Sequence, residues 1–163
     1  MNQPDQYLVE RRTLRHALGE FATGVTVVTA RGADGRPVGV TINSFASVSL
    51  EPSLVLWSLG LQSSSLAVFE SCRHYAINVL AADQTEFSQR FSQSQSEEFA
   101  GIELEAGAHG TPMLPGCCAW FECRNEMRYP GGDHLIFVGQ VENFRRQEKP
   151  PLIFHRGRYR CLP

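Results

Sequence analysis

The segment Val38–Phe69, VGVTINSFASVSLEPSLVLWSLGLQSSSLAVF, decides the expected fold and the search for a site. Its first part alternates, because Val38, Val40 and Ile42 are apolar while the residues between them are small or polar. Since successive side chains of a strand point to opposite faces, the pattern predicts a strand whose apolar face meets the core. A small, polar opposite face is typical of a strand that lines a pocket without filling it.

Three serines, Ser63–Ser65, precede an apolar run that ends at Phe69 and predict the start of a short helix. Free backbone N–H groups at a helix start, together with serine hydroxyls, suit an anion such as a phosphate. A polar strand face for a flat ring and a helix start for its phosphate outline a flavin mononucleotide site. Two local alternatives stay open: Thr41 and Asn43 also fit a solvent-facing strand edge, and the serines also fit a simple helix cap.

Length and composition favour one domain, 1–163, in the cytoplasm. The chain has 163 residues, 42% of them apolar, which is enough for a hydrophobic core. The net charge is only −2 and the longest basic cluster is the short RGRYR at 156–160, so we expect no nucleic-acid partner. There is no signal-peptide core and no run near the ~20 apolar residues of a membrane helix, so we expect no membrane association.

The cysteines predict neither a disulfide framework nor a metal site. Five are present, an odd number, and none forms a CxxC pair. We expect reduced thiols without a metal, and no pattern marks one of them as catalytic. The five are Cys72, Cys117, Cys118, Cys123 and Cys161.

Helical and strand patterns are mixed along the chain. Residues 1–10 are expected to form a loose arm and residues 11–22 a helix, with further helices at 65–72 and at 83–93, the last capped by Asp83. Residues 94–116 are polar and turn-rich, so we expect a long surface loop there. The expected strands are 25–31, 38–45, 53–59, 74–81, 118–129, 134–147 and a final strand from 151.

Six or seven strands without regular βαβ alternation indicate a mainly β fold, an antiparallel barrel with helices packed outside. No GxGxxG follows a strand, so a Rossmann dinucleotide site is not expected. We find no internal repeat and no linker.

Six stretches in one order resemble the flavin reductase-like domain family, the short-chain NAD(P)H:flavin oxidoreductases of two-component monooxygenases. The likeness runs from about Leu14 to Tyr159. It implies an FMN-binding split β-barrel, antiparallel and Greek-key-like, with two or three peripheral short helices, usually a homodimer with flavin near the interface. The stretches are HALGEFATGVTVVTA, GVTINSFASVSLEPSLVLWSL, the serine cluster with LAVF, YAINVLAADQ, GDHLIFVGQV and PLIFHRGRYR.

The resemblance implies hydride transfer from NADH or NADPH to FMN or FAD, and supply of reduced flavin to a partner monooxygenase. No catalytic side chain is expected, because the flavin carries the hydride chemistry. The residues implied on the nicotinamide side are His134, His155, Gly157 and Tyr159. Those implied for flavin are Thr41, Asn43, Ser44, Ser47, Val48, Trp57, Ser58, Ser63, Ser64, Ser65, Arg90 and Phe91.

Two further readings of the chain stay open. One is a flavin-binding electron carrier or store that barely oxidises NADH, and the other is a split-barrel oxidase of an amine such as pyridoxine phosphate. The serine cluster lacks the lysine or arginine often found in this family, which favours an exchangeable flavin. The absence of an evident arginine pair for a 2′-phosphate favours NADH over NADPH.

Overall fold

The computed structural model describes residues 3–93 and 98–162, where strands dominate and three helices lie between them. Most strands belong to one sheet, and the helices separate its parts along the chain. In chain order the elements are α1 (Gln3–Leu18), β1 (Thr23–Gly24), β2 (Thr26–Arg31), β3 (Pro37–Ile42), β4 (Ala46–Leu50), β5 (Ser53–Gly60), α2 (Leu66–Ser71), β6 (His74–Val79), α3 (Thr85–Arg90), β7 (Glu105–Ala106), β8 (Pro112–Met113), β9 (Ala119–Gly131), β10 (His134–Arg146), β11 (Ile153–His155) and β12 (Arg158–Arg160).

The main sheet has seven strands in the order β3-β2-β6-β9-β10-β5-β4, and each neighbouring pair is antiparallel. β1, β11 and β12 form a second sheet, and β7 pairs with β8. The expected class, mainly β and antiparallel, is confirmed. Among the described strands the sheet order ends at β3 on one side and β4 on the other, so hydrogen bonding does not show a closed barrel.

Side chains on the two faces of the central strands pack into two cores, as the period of a strand requires. On β2, Val28 belongs to a cluster around Trp57, whereas Val27 belongs to a cluster around Trp120. Helix α2 adds Phe69 to the first core. Because β2 is buried on both faces from Thr26 to Ala30, its apolar residues do not alternate with exposed polar ones, and two threonines are buried among them.

The helices differ from expectation at their N-termini. The loose arm expected before residue 11 is wrong, because α1 begins at Gln3 and ends at Leu18, earlier than the expected 22. The expected Asp83 cap is also wrong: the N-cap residue of α3 is Gln84, without a side-chain capping bond. The Gln84 amide instead ties two segments together, accepting from Ala81 N at 2.9 Å and donating to Pro115 O at 2.7 Å.

The chain end and the long loop also contain more structure than expected. The expected final strand is a hairpin, β11–β12, whose turn places Arg156 at φ 50° and Gly157 at φ 74°. A positive φ is easy for glycine, which explains the turn in the middle of an otherwise strand-like sequence. The expected loop 94–116 includes β7 and β8, while 94–97 lie outside the described residues. Strand β4 was not predicted.

Within the described ranges, no helix has the length and apolar character needed to cross a membrane.

Candidate functional site

Two adjoining clefts follow β3, which is an edge strand of the main sheet. The first, about 510 Å³, lies between β3 and the serines that precede α2. The second, about 210 Å³, lies between the end of β3, α3 and the β11–β12 hairpin. Ser92 borders both clefts, so they are neighbours, and we call them together the β3 groove. The groove joins the two parts of the sequence that predicted a ring site and a phosphate site.

The three serines lie in the first cleft, at the start of α2. Ser65 is the N-cap residue, but its hydroxyl makes no capping hydrogen bond. Ser65 N donates to Ser63 Oγ at 3.3 Å, and Leu66 N donates to Ser63 O at 3.1 Å. Ser64 is exposed. The hydroxyls therefore face the cleft, whereas part of the backbone donor capacity of this turn is already used.

Thr41 and Asn43 both border the second cleft, but they differ in whether the side chain is available to hydrogen-bond a ligand. Thr41 Oγ1 donates to Ser88 O at 2.8 Å, and Thr41 N donates to Phe91 O at 3.0 Å. Helix α3 therefore covers Thr41, and the polar face of β3 is narrower than the alternation predicts. Asn43, just beyond β3, is exposed and leaves its amide available to a ligand.

Five further predicted ring residues lie on β4, on β5 and in the segment before β4. None of the five is among the residues that line the two clefts. Ser44 Oγ accepts from Ser58 N at 3.0 Å and lies 3.3 Å from Ser58 O, so these two residues bind each other. Trp57 is 0% exposed and belongs to the first core, so its ring touches no ligand in this conformation. Ser47 and Val48 are exposed on the edge strand β4.

Phe91 shapes the groove, and Arg90 lies beside it. The Phe91 ring is 2% exposed and packs on Gly39, where a Cβ atom would come within 2.6 Å of Phe91 Cδ1. Gly39 is therefore required for this close approach of α3 to β3. Arg90 is half-buried in the last turn of α3, and it stays a predicted phosphate contact.

Sequence reasoning missed Glu98, which borders the first cleft together with the serines. Its Oε1 accepts a hydrogen bond from Gly39 N at 3.0 Å, which satisfies a donor on the free edge of β3. Burial raises the pKa of the Glu98 carboxyl, and the bond from Gly39 opposes that shift. Ser88 and Ser92 were missed as well. The sequence signal for these two serines is their separation of four positions, because residues four apart lie on the same face of a helix.

We expect Glu98→Gln to strengthen FMN binding. The carboxylate shares the first cleft with the serines, and a phosphate there is repelled by it. Two like charges about 4 Å apart in water cost ~1 kcal/mol, or roughly fivefold in Kd. The glutamine oxygen still accepts the Gly39 N–H. Fluorescence titration with FMN measures the gain, and riboflavin, which has no phosphate, is the control. A gain shared by both flavins would contradict a phosphate at this end of the groove.

The predicted nicotinamide residues do not gather in one place. Tyr159 borders the second cleft, and its hydroxyl lies 2.8 Å from Ser88 Oγ. Gly157 borders another cleft, about 640 Å³, at the end of α1. His155 lies half-buried at the end of β11, just before both of them in sequence.

His134 lies at the far end of the main sheet. It begins β10 opposite Gly60, the last residue of β5, a few residues before the serine cluster. Its Nδ1 is 2.6 Å from Asp133 Oδ1, and this hydrogen bond lowers the pKa of the Asp133 carboxyl. A Cβ atom at Gly60 would lie 3.8 Å from His134 Nε2, and the preceding Leu59 borders the first cleft, so His134 lies toward the predicted phosphate end of the groove.

Three of the cysteine thiols stay protonated at neutral pH and so are poor nucleophiles. Burial raises the pKa of Cys72 to about 11, and those of Cys117 and Cys123 to about 12. A protonated thiol is a poor nucleophile and a poor metal ligand. These three side chains therefore act as small apolar groups of the fold.

The family described as "Flavin reductase like domain" matches residues 18–163 of this chain. The chain is 46% identical over 148 residues to the FMN reductase (NADH) SmoA of Agrobacterium fabrum, covering 91% of this chain and 84% of that protein. It is 43% identical over 148 residues to the reductase component of the flavin-dependent trigonelline monooxygenase of Acinetobacter baylyi. That match covers 91% of this chain but 48% of the Acinetobacter protein, so the chain spans about half of that relative.

A solved structure agrees in fold. The NADH:FAD oxidoreductase SgcE6 of Streptomyces globisporus, in complex with NAD and FAD fragments, superposes with a TM-score of 0.89 at 36% identity. The match covers 94% of this chain and 93% of that one. This chain belongs to the flavin reductase-like domain family.

Proposed function

We propose that this chain is an NAD(P)H:flavin oxidoreductase that takes NADH as electron donor and FMN or FAD as acceptor. Reduced flavin then passes to a partner monooxygenase. The observation that carries the proposal is the β3 groove, where Asn43 and the serine cluster border adjoining clefts at one sheet edge. Family membership and relatives named as NADH-dependent FMN reductase and monooxygenase reductase component support the same function.

The groove fits a flavin in shape and in donor set. Val38, Val40 and Leu59 give the first cleft apolar walls, which suits a flat hydrocarbon-rich ring or its ribityl chain. Asn43 supplies a free amide in the second cleft. The one feature that opposes a phosphate is the Glu98 carboxylate, and the loop that bears it is the part of the groove we expect to move on binding.

In this proposal the chain's own residues bind the flavin and orient it. A bound flavin supplies the hydride acceptor chemistry, and no side chain needs to act as acid or base. We propose that Asn43 donates a hydrogen bond to the ring and that the hydroxyls of Ser63–Ser65 hold the phosphate. Thr41, fixed by its bond to Ser88 O, keeps β3 and α3 at a constant distance and so sets the width of the second cleft.

We further propose that 1–163 forms one FMN-binding split β-barrel and assembles as a homodimer in the cytoplasm. Four large apolar side chains on α1, β4 and the turn after α1 are exposed and would be covered by a second copy. They are Leu18 at 66%, Phe21 at 78%, Val48 at 50% and Leu50 at 92% exposure. Since Ser47 and Val48 are exposed on the edge strand β4, a second copy that covers this strand would bring the predicted ring residues of β4 to the interface. The five cysteines are free thiols, which suits a reducing compartment.

NADH oxidation by the purified chain tests the function. We expect the rate of NADH loss to rise with added FMN or FAD and to saturate. A rate that does not depend on flavin over a wide concentration range contradicts the proposal. Tight binding of flavin, seen as fluorescence quenching, with almost no NADH oxidation would instead indicate an electron carrier or store.

We expect His155→Ala to raise the apparent KM for NADH with little change in the KM for flavin. The half-buried imidazole on β11 and the arginines around it are suited to the dinucleotide's phosphates and carboxamide. Losing one such hydrogen bond costs about 0.5–1.5 kcal/mol, or roughly 2- to 12-fold in KM. Steady-state kinetics with each substrate varied in turn measure it, and His109→Ala, an exposed histidine that borders none of the three clefts, is the matched control. An unchanged KM for NADH removes His155 from the site.

A further inference from the structure

Three potential metal ligands converge on the outside of the main sheet, apart from the β3 groove. Nε2 of His74 lies 3.2 Å from Glu142 Oε2, and Nε2 of His109 lies 3.0 Å from the same oxygen. One ligand atom from each residue lies within 4.8 Å of the other two. The residues come from three separate segments, namely β6, the β7–β8 turn and β10.

Local backbone structure positions the Glu142 and His109 side chains. Glu142 falls in a β-bulge of β10, because the register with β9 shifts between Val141 and Asn143. Bulges re-aim a side chain and are common next to functional sites. The turn that bears His109 is closed by a hydrogen bond from Gly110 N to Gly107 O at 2.9 Å.

The turn is also fixed to the sheet. Arg31 Nε donates to Gly110 O at 2.8 Å, which links the turn to the end of β2. A Cβ atom at Gly107 would lie 2.1 Å from Glu122 Oε2, so this glycine allows the turn to pack directly on β9. His109 is therefore presented from a fixed backbone, although its ring is exposed.

The electrostatic surroundings favour a cation over free imidazolium groups. The rings of His74 and His109 stack at 3.9 Å between centroids, so two protonated rings would repel each other strongly. Burial, followed by the charge of His109, lowers the pKa of His74, and neutral imidazole is the form that binds metal. Arg124 Nε lies 3.4 Å from Glu142 Oε1 and its Nη2 lies 3.2 Å from Glu126 Oε2, so two carboxylates share this one guanidinium, while the charge of Arg73 also acts on His74.

We propose that His74, His109 and Glu142 form a binding site for a divalent transition-metal ion, with Zn²⁺ the best match. Two imidazoles and one carboxylate are a common zinc ligand set, with the remaining position left to water or a ligand. Ligands about 2.0–2.1 Å from Zn²⁺ in a tetrahedron lie roughly 3.3–3.5 Å apart, close to the two His–Glu distances. Because the lone pairs of parallel rings do not meet, binding requires the exposed His109 ring to rotate out of the stack until both Nε2 atoms point at the ion.

The role of the ion follows from what it joins. The ion would join the β7–β8 turn to strands β6 and β10. These three segments are far apart in the chain, so the ion would hold the turn on the main sheet. Arg124 forms an ion pair with the carboxylate at 3.4 Å and so helps to orient it, as groups around a metal ligand commonly do. The site uses no residue of the β3 groove, so it is independent of the proposed function.

Zinc binding by the full-length, untagged, metal-free chain tests the proposal. To keep the exposed thiol out of the measurement, the background is Cys161→Ser. Isothermal titration with Zn²⁺ should give one ion per chain. His109→Ala and Glu142→Gln should each weaken the affinity by at least about tenfold, while His16→Ala leaves it unchanged. Zn²⁺ at 100 times its Kd for the background chain should raise the Tm by roughly 5–10 °C in that chain and in His16→Ala, and by clearly less in His109→Ala and Glu142→Gln.

Two outcomes of the Zn²⁺ titration would overturn the proposal. One is the absence of Zn²⁺ binding at millimolar concentration in the background chain. The other is equal binding by the background chain, His109→Ala and Glu142→Gln. Co²⁺ titration followed by visible absorption repeats the test with a different readout, and a spectrum unchanged by His109→Ala overturns the proposal as well.

Discussion

Replacing Ser63, Ser64 and Ser65 together by alanine is expected to weaken FMN binding by roughly 10- to 150-fold. The three hydroxyls border the first cleft, and a hydrogen bond to a charged phosphate is worth about 1.5–3 kcal/mol. Riboflavin has the same ring but no phosphate, so its Kd should change little. Fluorescence quenching titrations with the two flavins measure the difference.

The control for the serine variant is Ser71→Ala at the other end of α2. The Ser71 hydroxyl donates to Ala67 O at 2.8 Å, so its loss perturbs the same helix without touching the groove. We expect both flavins to bind this variant as they bind the unmodified chain. If the triple variant weakens FMN and riboflavin equally, the serines hold the loop and not the phosphate.

Trp57→Ala is expected to lower the free energy of unfolding by about 3–5 kcal/mol. The Trp57 ring is fully buried and stacks on Phe137 at 4.5 Å between centroids, with Phe69 and Tyr75 edge-on at 5.1 and 5.5 Å. The truncation leaves a large cavity between β5, β10 and α2. Chemical denaturation measures the loss, and a fall of roughly 6–20 °C in Tm should accompany it.

Phe144→Ala is the matched control for the Trp57 variant. Phe144 is an aromatic residue of β10 with 76% exposure, so its truncation should cost less than about 0.5 kcal/mol. Trp57→Phe, which keeps most of the packing, shows whether the side chain also serves flavin. A Kd for FMN that changes more than about twofold in a stable Trp57→Phe protein would contradict a purely structural role.

The strands were predictable because their signals are local. The alternation after Val38 and the turn residues at 130–133 predicted the β2–β3 and β9–β10 hairpins, which the structure confirms. The terminal hairpin was missed because Arg156-Gly157 interrupts a short apolar pattern without any flanking turn signal. Strand β4 was missed because its side chains are mostly exposed, so no buried face marks it.

The groove was predictable only in part. Asn43 and the serines were identified by local chemistry and by family resemblance. Glu98 and the packing of Phe91 on Gly39 were not, because they depend on contacts between residues 52 or more positions apart. Trp57 is fully buried in the first core, so its predicted contact with flavin stays a prediction.

The histidine–glutamate cluster could not be predicted from sequence. His74, His109 and Glu142 have no fixed spacing, and a bulge in β10 is needed to turn the carboxylate toward the imidazoles. The cysteines, where zinc motifs are usually sought, form no CxxC pair and are mostly buried.

The most direct test of the central claim is a crystal structure of the chain soaked with FMN. We predict electron density for the tricyclic ring beside Asn43 and for the phosphate beside Ser63–Ser65, with the Glu98 loop displaced. An empty groove, or a flavin bound elsewhere while the groove is filled by the chain's own side chains, would contradict the account.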